Sequence, residues 1–368
     1  MIERSMSQHA TSALARKGSR RNAATWLVCG AAVMLLAGCS SAPRQLAHAP
    51  DTSARPHVMA QALPAWIHPL GASVQVPGAV NGQDATAWSI RLSQLTSTTP
   101  SDRAAGLPHG WRAAKAQVTF TNATDQIQSL PRVELTARYG AAGRPAVEFT
   151  DPQTGINGIP QQDPASGDTP RAAPQGSLTA TIGVALPAST EPSDATVTFT
   201  LHAWIAGEGS SRAPLFFEGG FPGATRSIAQ PLQTRVARKT VLALGEWNDD
   251  GDTRLRLAPV HVDGPSAGGQ RACSMDLTVI NDASDDSLTT SMSTIVNISY
   301  GQALTQGPSI GPGPGPDSYA DAPIAPGRAA TETLHFTLPA SAIPGPVTID
   351  VGDGEGSAHR VTYEGTVE

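Results

Sequence analysis

Alternation of apolar and polar residues is the strongest pattern along this chain, and it predicts many short β-strands. In residues 114–122 the apolar positions are Ala114, Ala116, Val118 and Phe120. In residues 273–281 they are Cys273, Met275, Leu277 and Val279. Both sets recur at every second residue, so we expect them to face the core of a sheet. No stretch of the body sustains the 3.6-residue period of an amphipathic helix.

These two strands belong to a longer internal repeat. Each ends in an asparagine, Asn122 or Asn281, that precedes a polar turn. Each is followed by a strand ending in Tyr-Gly, a long loop rich in Gly and Pro (141–172 and 302–324), and a strand ending in Leu-Pro. The shared order predicts a duplicated domain. The alternative is one large β-structure whose strands merely resemble one another.

Each copy has enough predicted strands to form a domain of its own. Two further strands are predicted upstream in each copy, at 72–76 and 88–95 and at 240–244 and 255–260. Six or seven short strands per copy are typical of an antiparallel sandwich. The sequence therefore predicts an all-β protein with two tandem immunoglobulin-like β-sandwiches, at 71–232 and 233–368.

The N-terminus has the pattern of a bacterial lipoprotein signal peptide. Residues 1–21 are basic, residues 22–38 are uncharged and largely apolar, and Leu36-Ala37-Gly38-Cys39 forms a lipobox. We therefore expect removal of residues 1–38 and attachment of palmitate-type acyl chains to Cys39, because two or more chains anchor a protein stably to a membrane. The alternative is a transmembrane anchor with an incidental cysteine.

The residues after the lipobox predict a tether and a location. Residues 39–70 mix Ser, Ala, Pro and His without a period, which is typical of a flexible linker. Ser40 follows Cys39, with no Asp to act as an inner-membrane retention signal. We expect a lipid anchor on the extracytoplasmic face: the outer membrane in a Gram-negative host, the plasma membrane in a Gram-positive one.

Composition and charge narrow the possible partners. The 36 glycines and 31 prolines favour short strands and many turns. The whole chain carries a formal charge of −6, and residues 1–38 hold five basic residues against one acidic residue, so the mature chain is at −10. This balance disfavours nucleic-acid binding. Cys273 is the one cysteine left in the predicted domains, so they contain no internal disulfide.

The order of strand, Asn-containing turn, long loop, Pro-Gly, strand and Leu-Pro resembles the DUF4352 family of bacterial exported immunoglobulin-like domains. That family is related in fold to the mycobacterial secreted antigen MPT63. Ala325-Pro326-Gly327, followed by Leu334, Phe336 and Leu338-Pro339, fits the family pattern well. The first copy departs from it, with Pro174-Gln175-Gly176 in place of a direct Pro-Gly. The resemblance implies the fold and an exported location, and it implies no reaction.

Three segments match chemical motifs, and each has a simpler structural interpretation. Gly307-Pro308-Ser309-Ile310-Gly311 fits GxSxG, but the Pro-rich sequence that follows cannot form the helix of a hydrolase, so we expect a loop. A hairpin turn is predicted between strands 240–247 and 253–260, and a calcium site on Asp249, Asp250 and Asp252 is the alternative. Gly352-Asp353-Gly354-Glu355-Gly356 is predicted to be a turn between two strands.

Other reactive or aromatic side chains are predicted to be structural. Histidines occur singly, without the spacing of metal ligands. Cys273 lies on the inward set of its strand and is predicted to be a small core residue. Four tryptophans are predicted to fill the cores, with a glycan-stacking surface as the alternative: Trp88, Trp111, Trp204 and Trp247. No catalytic constellation, metal ligand set or cofactor motif emerges.

The function that follows from these patterns is a lipid-anchored envelope protein that binds or scaffolds another molecule without catalysis. Its expected partners are the membrane, through Cys39, and an exported protein or a cell-wall glycan. The alternatives are an enzyme acting on cell-wall glycan or peptidoglycan, and a lipoprotein that delivers a metal or a solute.

Overall fold

The computed structural model describes residues 66–368, apart from 81–82, 131, 161–168, 205–213, 233, 235–240, 250–252, 266, 284–294, 311–321 and 353–359. All of the described residues belong to one compact unit, Met59–Glu368. The predicted signal peptide, the lipobox with Cys39 and most of the predicted tether lie outside them.

In the described residues of the first sandwich there are thirteen strands, and its two layers are separate sheets. The strands are β1 (Ile67–Pro69), β2 (Ser73–Val80), β3 (Gln83–Leu92), β4 (Thr96–Ser97), β5 (Arg112–Asn122), β6 (Gln128–Ser129), β7 (Arg132–Tyr139), β8 (Arg144–Pro145), β9 (Val147–Phe149), β10 (Arg171–Ala172), β11 (Ser177–Leu186), β12 (Thr196–Trp204) and β13 (Leu215–Gly220). One sheet has the order β1-β13-β12-β7-β8. The other has the order β2-β3-β5-β11-β9, with β4 paired to β5, and β6 pairs with β10.

The part of the second sandwich that the structure describes contains ten strands. They are β14 (Val241–Ala243), β15 (Trp247–Asp249), β16 (Thr253–Leu257), β17 (His261–Pro265), β18 (Gln270–Asn281), β19 (Ile295–Tyr300), β20 (Thr305–Ile310), β21 (Ala329–Pro339), β22 (Gly345–Gly352) and β23 (Arg360–Val367). One sheet has the order β14-β23-β22-β19-β20, and the other is β15-β16-β18-β17 with β21 on β18. Short 3₁₀ turns occur at Pro152–Thr154, Ala267–Gly269 and Ala340–Ala342.

Five antiparallel strand pairs and one parallel pair recur in the two sandwiches. The pairs β3·β5, β5·β11, β7·β8, β7·β12 and β12·β13 of the first sandwich correspond to β16·β18, β18·β21, β19·β20, β19·β22 and β22·β23 of the second. All of these pairs are antiparallel, whereas the opening strand of each sandwich pairs in parallel with its last strand. The chain is therefore an all-β protein of antiparallel, immunoglobulin-like sandwiches, as the alternation predicts.

Each sandwich encloses its own apolar core. The two predicted inward sets, on β5 and β18, lie in these cores, and every member exposes 3% or less of its surface. Trp88 is buried in the first core, and Cys273 is a buried free thiol in the second. Tyr139 and Tyr300 pack at equivalent strand ends beside Gly140 and Gly301, as their shared motif predicts.

The repeated asparagines fix the turn at one end of each sandwich. The side-chain amide of Asn122 donates to the carbonyls of Gln126, Ala172 and Ala173, at 2.6, 3.1 and 3.0 Å. The amide of Asn281 donates to the carbonyl of Ile324 at 2.8 Å. Buried backbone groups need such partners, so both asparagines tie a strand end to the loop that precedes the partner strand.

Three segments differ from the expectations of the sequence analysis. Ile67–Pro69, assigned to the end of the tether, forms β1, because Ile67 is buried and pairs with β13. The predicted loops 141–172 and 302–324 contain β8, β9, β10 and β20, short edge strands in which Gly and Pro obscure the alternation. The hairpin around 250–252 begins at Trp247, because the earlier segment forms β14 in the opposite sheet.

Candidate functional site

A buried ion pair joins the two sandwiches. Glu218 on β13 accepts from two nitrogens on one edge of the Arg328 guanidinium: Nε at 2.7 Å and Nη2 at 3.0 Å. The side chain of Glu218 is 0% exposed and that of Arg328 is 10% exposed. A bidentate Arg–carboxylate pair fixes orientation as well as distance. We call the set of contacts between the two sandwiches the junction.

The remaining lone pairs of the Glu218 carboxylate are also used. The hydroxyl of Thr198 donates to Oε2 at 2.8 Å, and the backbone N–H of Ala229 donates to Oε1 at 2.8 Å. A carboxylate taken out of water needs several donors to offset its lost hydration. The linker residue Ala229 is therefore held by the same carboxylate that holds Arg328.

On the other side of the junction, hydrogen bonds to backbone carbonyls join the two sandwiches. The N–H of Thr331 donates to the carbonyl of Gly143 at 3.1 Å, and its hydroxyl donates to the carbonyl of Ala142 at 2.7 Å. A Cβ on Gly143 would lie 1.7 Å from the carbonyl oxygen of Ala329. Gly143 also has a positive φ of 61°, so glycine is required here by both space and conformation.

Apolar contacts and a second, largely buried ion pair also contribute to the junction. Ile67 and Phe216 of the first sandwich form a buried cluster with Ala325 of the second. The indole N–H of Trp66 donates to the carbonyl of Pro326 at 3.2 Å. Arg138 on β7 and Glu332 on β21 approach to 3.7 Å, with side chains 7% and 12% exposed. The junction therefore combines an apolar core, paired charges and backbone bonds, like the interior of a domain.

A cavity of about 230 Å³ lies in the first sandwich, away from the junction. β7 contributes to it from one sheet and β9 and β11 from the other, so the cavity opens between the two layers. Apolar side chains contribute to its lining, among them those of Val133, Leu135, Phe149, Ile159 and Ile182. Glu148 on β9 supplies the one ionisable side chain of the lining among the described residues.

The carboxyl group of Glu148 has a buried oxygen that lacks a hydrogen bond within the described part of the chain. It is paired across the sheet with the core residue Val184, so its side chain lies on the core side. Its Oε1 is buried and has no hydrogen-bond partner among the described residues. Burial, and secondarily the charge of Glu134, raises the pKa of Glu148 to about 8. Perturbed acids in clefts are candidates for binding or chemistry.

The structure describes some of the candidate residues named in the sequence analysis and not others. Cys39 lies outside the described residues, as do Asp250 and Asp252 of the calcium candidate, while Asp249 ends β15. β15 and β16 are paired on either side of residues 250–252, which fits the predicted hairpin. Ser309 of the GxSxG segment lies on strand β20, and not in the predicted loop.

Other candidates are structural or dispersed. Burial raises the pKa of the Cys273 thiol, which disfavours the thiolate. Within the described ranges, no three His, Cys, Asp or Glu side chains are grouped closely enough to hold a metal ion. The described part of the chain also contains no helix with the length and hydropathy needed to cross a bilayer.

Sequence reasoning missed Glu218, Arg328 and Glu148. Glu218 follows Phe216 and Phe217 in a strand where a polar residue is expected to face solvent. A signal did exist for Arg328, which comes directly after the Pro-Gly turn that the first copy lacks. Glu148 lies in the segment predicted to be a loop, where an acidic residue is expected to be exposed and has no predicted role.

Neither a protein-family model nor a curated protein sequence matches the chain. Among solved structures it is similar to the yjhA protein from Bacillus subtilis, with 9% identity and a TM-score of 0.29, over 41% of this chain and 99% of that one. It is also similar to a marsupial T cell receptor, with 11% identity and a TM-score of 0.17, over 70% of this chain and 92% of that one. At such low TM-scores, the fold assignment rests on the strand pairing described above.

Proposed function

We propose that the chain is a lipid-anchored envelope protein that works as a non-catalytic binding or scaffolding module. The observation that carries the proposal is the junction, in which Glu218 and Arg328 hold two sandwiches together as one body. A scaffold must present its surfaces in a fixed relation, and a buried bidentate ion pair supports such a relation. The DUF4352-like family membership is part of the same proposal.

The location in the proposal comes from the sequence. The basic leader, the apolar run and Leu36-Ala37-Gly38-Cys39 support export and lipidation on Cys39. The acidic balance of the mature chain gives little electrostatic attraction to anionic lipid, so the acyl chains supply the attachment. The linker before β1 then holds the sandwiches away from the bilayer.

Metabolic labelling with an alkyne-bearing fatty acid tests the anchor in bacteria that express the full chain. We expect label on the wild type and its loss in Cys39→Ser. Cys273→Ala is the matched control, because it removes another cysteine and keeps the lipobox, and it retains the label. Label that survives Cys39→Ser, or its absence from the wild type, contradicts the anchor.

A quantitative pulldown tests the binding role. Full chain immobilised through its C-terminus is incubated with envelope extract, and free chain is added as competitor. A partner captured saturably, and displaced by the free chain, supports the scaffolding role. Capture that does not saturate, or that free chain cannot displace, contradicts it.

A second candidate, an enzyme acting on cell-wall glycan, is favoured by Glu148 alone. A carboxyl with a pKa near 8 has the protonation state of a general acid. Glycosidases pair such an acid with a second carboxylate across the scissile bond. Glu134 lies between the cavity residues Val133 and Leu135 on β7 and therefore on the opposite face of the strand. The geometry favours the binding role.

A further inference from the structure

We propose that the cavity beside Glu148 binds a small organic cation: an ammonium group on an apolar body of about nine non-hydrogen atoms. This inference goes beyond the proposed function, and it holds whether or not Cys39 carries a lipid. It rests on the size of the cavity, the buried oxygen of Glu148 and the charges around it.

The size of the cavity limits the ligand. A buried apolar cavity of about 150 Å³ is enough to hold a benzene molecule. The 230 Å³ between the layers therefore accepts a phenyl ring with a short chain, or an alkyl group of similar volume. The side chains of Val133, Leu135 and Ile182 supply the apolar contacts for that body. A polymer such as a glycan strand does not fit in this volume.

The buried oxygen of Glu148 calls for a donor. A buried carboxyl oxygen that lacks a hydrogen bond is costly, because it has lost water without gaining a replacement. An ammonium group carries three donors and no acceptor, so it can satisfy this oxygen directly. A ligand whose polar end only accepts hydrogen bonds cannot do so once the carboxyl is ionised.

The charges around the cavity favour a cation. Glu134 is the described group whose charge acts on Glu148, and the sign of that charge is negative. The other described lining positions carry no ionisable side chain: Ala105, Val133, Leu135, Phe149, Thr150, Gly158, Ile159, Ile182 and Gly183. An ammonium group thus relieves both causes that disfavour the Glu148 carboxylate, namely its lost hydration and its repulsion by Glu134.

Binding of a cation must be linked to loss of a proton. At pH 7 the Glu148 carboxyl is mostly protonated, because its pKa is about 8. The ammonium pairs with the carboxylate, so each binding event below pH 8 releases one proton to the solvent. The affinity for an amine therefore rises by about 50-fold from pH 6 to pH 8 and then levels off, until the amine itself loses its charge near pH 10.

Isothermal titration calorimetry on the full chain in lipid nanodiscs tests the proposal, with 2-phenylethylamine as the cation and 2-phenylethanol as its neutral counterpart. At pH 8.5 we expect the amine to bind at least tenfold more tightly than the alcohol. Titrations at pH 7 in two buffers of different ionisation enthalpy should give about one proton released per amine. Glu148→Gln should abolish the preference for the amine.

Glu364→Gln is the matched control, because it removes an exposed carboxylate from the second sandwich and leaves the cavity intact. It should bind the amine as the wild type does, and any partitioning into lipid is the same for all variants. Three results would overturn the proposal: equal affinity for amine and alcohol, an amine affinity unchanged by Glu148→Gln, or no binding of either probe. The last result would leave Glu148 as an inward-pointing charge that guards a sheet edge against pairing.

Discussion

Glu364 occupies in the second sandwich the position that Glu218 occupies in the first, but Glu364 is exposed and Glu218 is buried. On β13, Glu218 is paired with Thr198. On β23, Glu364 is paired with Thr348. The strand pairing is conserved between the repeats, so the difference in burial arises because another sandwich covers only the first position.

A second position on the same face of the sandwich differs between the repeats in a similar way. Leu304 occupies the position in the second sandwich that Gly143 occupies in the first. The backbone N–H of Gly143 donates to the carbonyl of Gly140, and that of Leu304 donates to the carbonyl of Gly301, so each residue closes the equivalent turn. Leu304 is 60% exposed, whereas Gly143 is buried against Ala329 of the second sandwich. The exposed face of the second sandwich therefore differs at two positions from the face of the first sandwich that forms the junction.

Removal of one partner of the buried ion pair should lower the free energy of unfolding substantially. We expect Arg328→Ala to lower the free energy of unfolding by about 3–5 kcal/mol, because the Glu218 carboxylate is left buried without its cation. Arg144→Ala is the matched control, because Arg144 also reaches across the junction, to Asp276 at 4.0 Å, but its side chain is 54% exposed. That change should cost less than about 1 kcal/mol. Equal costs in urea titrations would contradict the importance of the buried pair.

The contact at Gly143 should tolerate no side chain. We expect Gly143→Ala to destabilise the chain by at least about 3 kcal/mol, because its Cβ collides with the carbonyl of Ala329 and separates the junction. Gly155→Ala is a suitable comparison, because Gly155 also has a positive φ, of 77°, but open space around its Cβ position. It should lose only about 1 kcal/mol, from backbone strain. Urea unfolding of both variants measures the difference.

Glu148 should make stability depend on pH. Its pKa is about 8 in the folded chain and near 4.5 when unfolded, so only the unfolded chain ionises between these values. The cost of burying Glu148 is therefore absent at pH 4, grows from pH 4.5 to pH 8, and is constant above. We expect Glu148→Gln to match the wild type at pH 4 and to exceed it by about 3–5 kcal/mol at pH 8. A difference that is the same at both pH values would count against the raised pKa.

The effect of Asp151 on the free energy of unfolding should have the opposite dependence on pH. Its carboxylate accepts from the backbone N–H and the hydroxyl of Ser101, both at 2.7 Å. These bonds, that of the backbone first, lower its pKa from 3.8 to about 2. The stabilisation is present above pH 3.8 and is lost as the pH falls toward 2. The advantage of the wild type over Asp151→Asn should therefore vanish in that window, and acid titration of unfolding that shows a constant advantage would refute the bond pattern.

The sequence predicted the features that depend on local periodicity. The inward set of β5, from Ala114 to Phe120, is buried because alternation places every second side chain on one face. Cys273 lies in the core of the second sandwich for the same reason. The alternation of neighbouring residues is enough to predict which side chains are buried, and the second copy of the repeat shows the same alternation.

Features that depend on distant residues were not visible in the sequence. Glu218 and Arg328 are 110 positions apart, and neither has a local pattern that indicates burial. Ile67 follows an irregular Pro-rich stretch, and only its pairing with β13 shows that the fold has begun. Glu148 becomes a cavity residue because β9 joins the edge of β11 for three residues. In each case the packing of one element on another decides the role.

The distance between the two sandwiches is the most direct test of the claim that they form one body. Spin labels on the exposed positions Thr179 and Thr337, in a full chain whose native cysteines are replaced by serine, allow that distance to be measured by pulsed electron spin resonance. We expect one narrow distribution in the wild-type background, and a broad one when Arg328→Ala and Gly143→Ala are combined. A broad distribution with the junction intact would contradict the account.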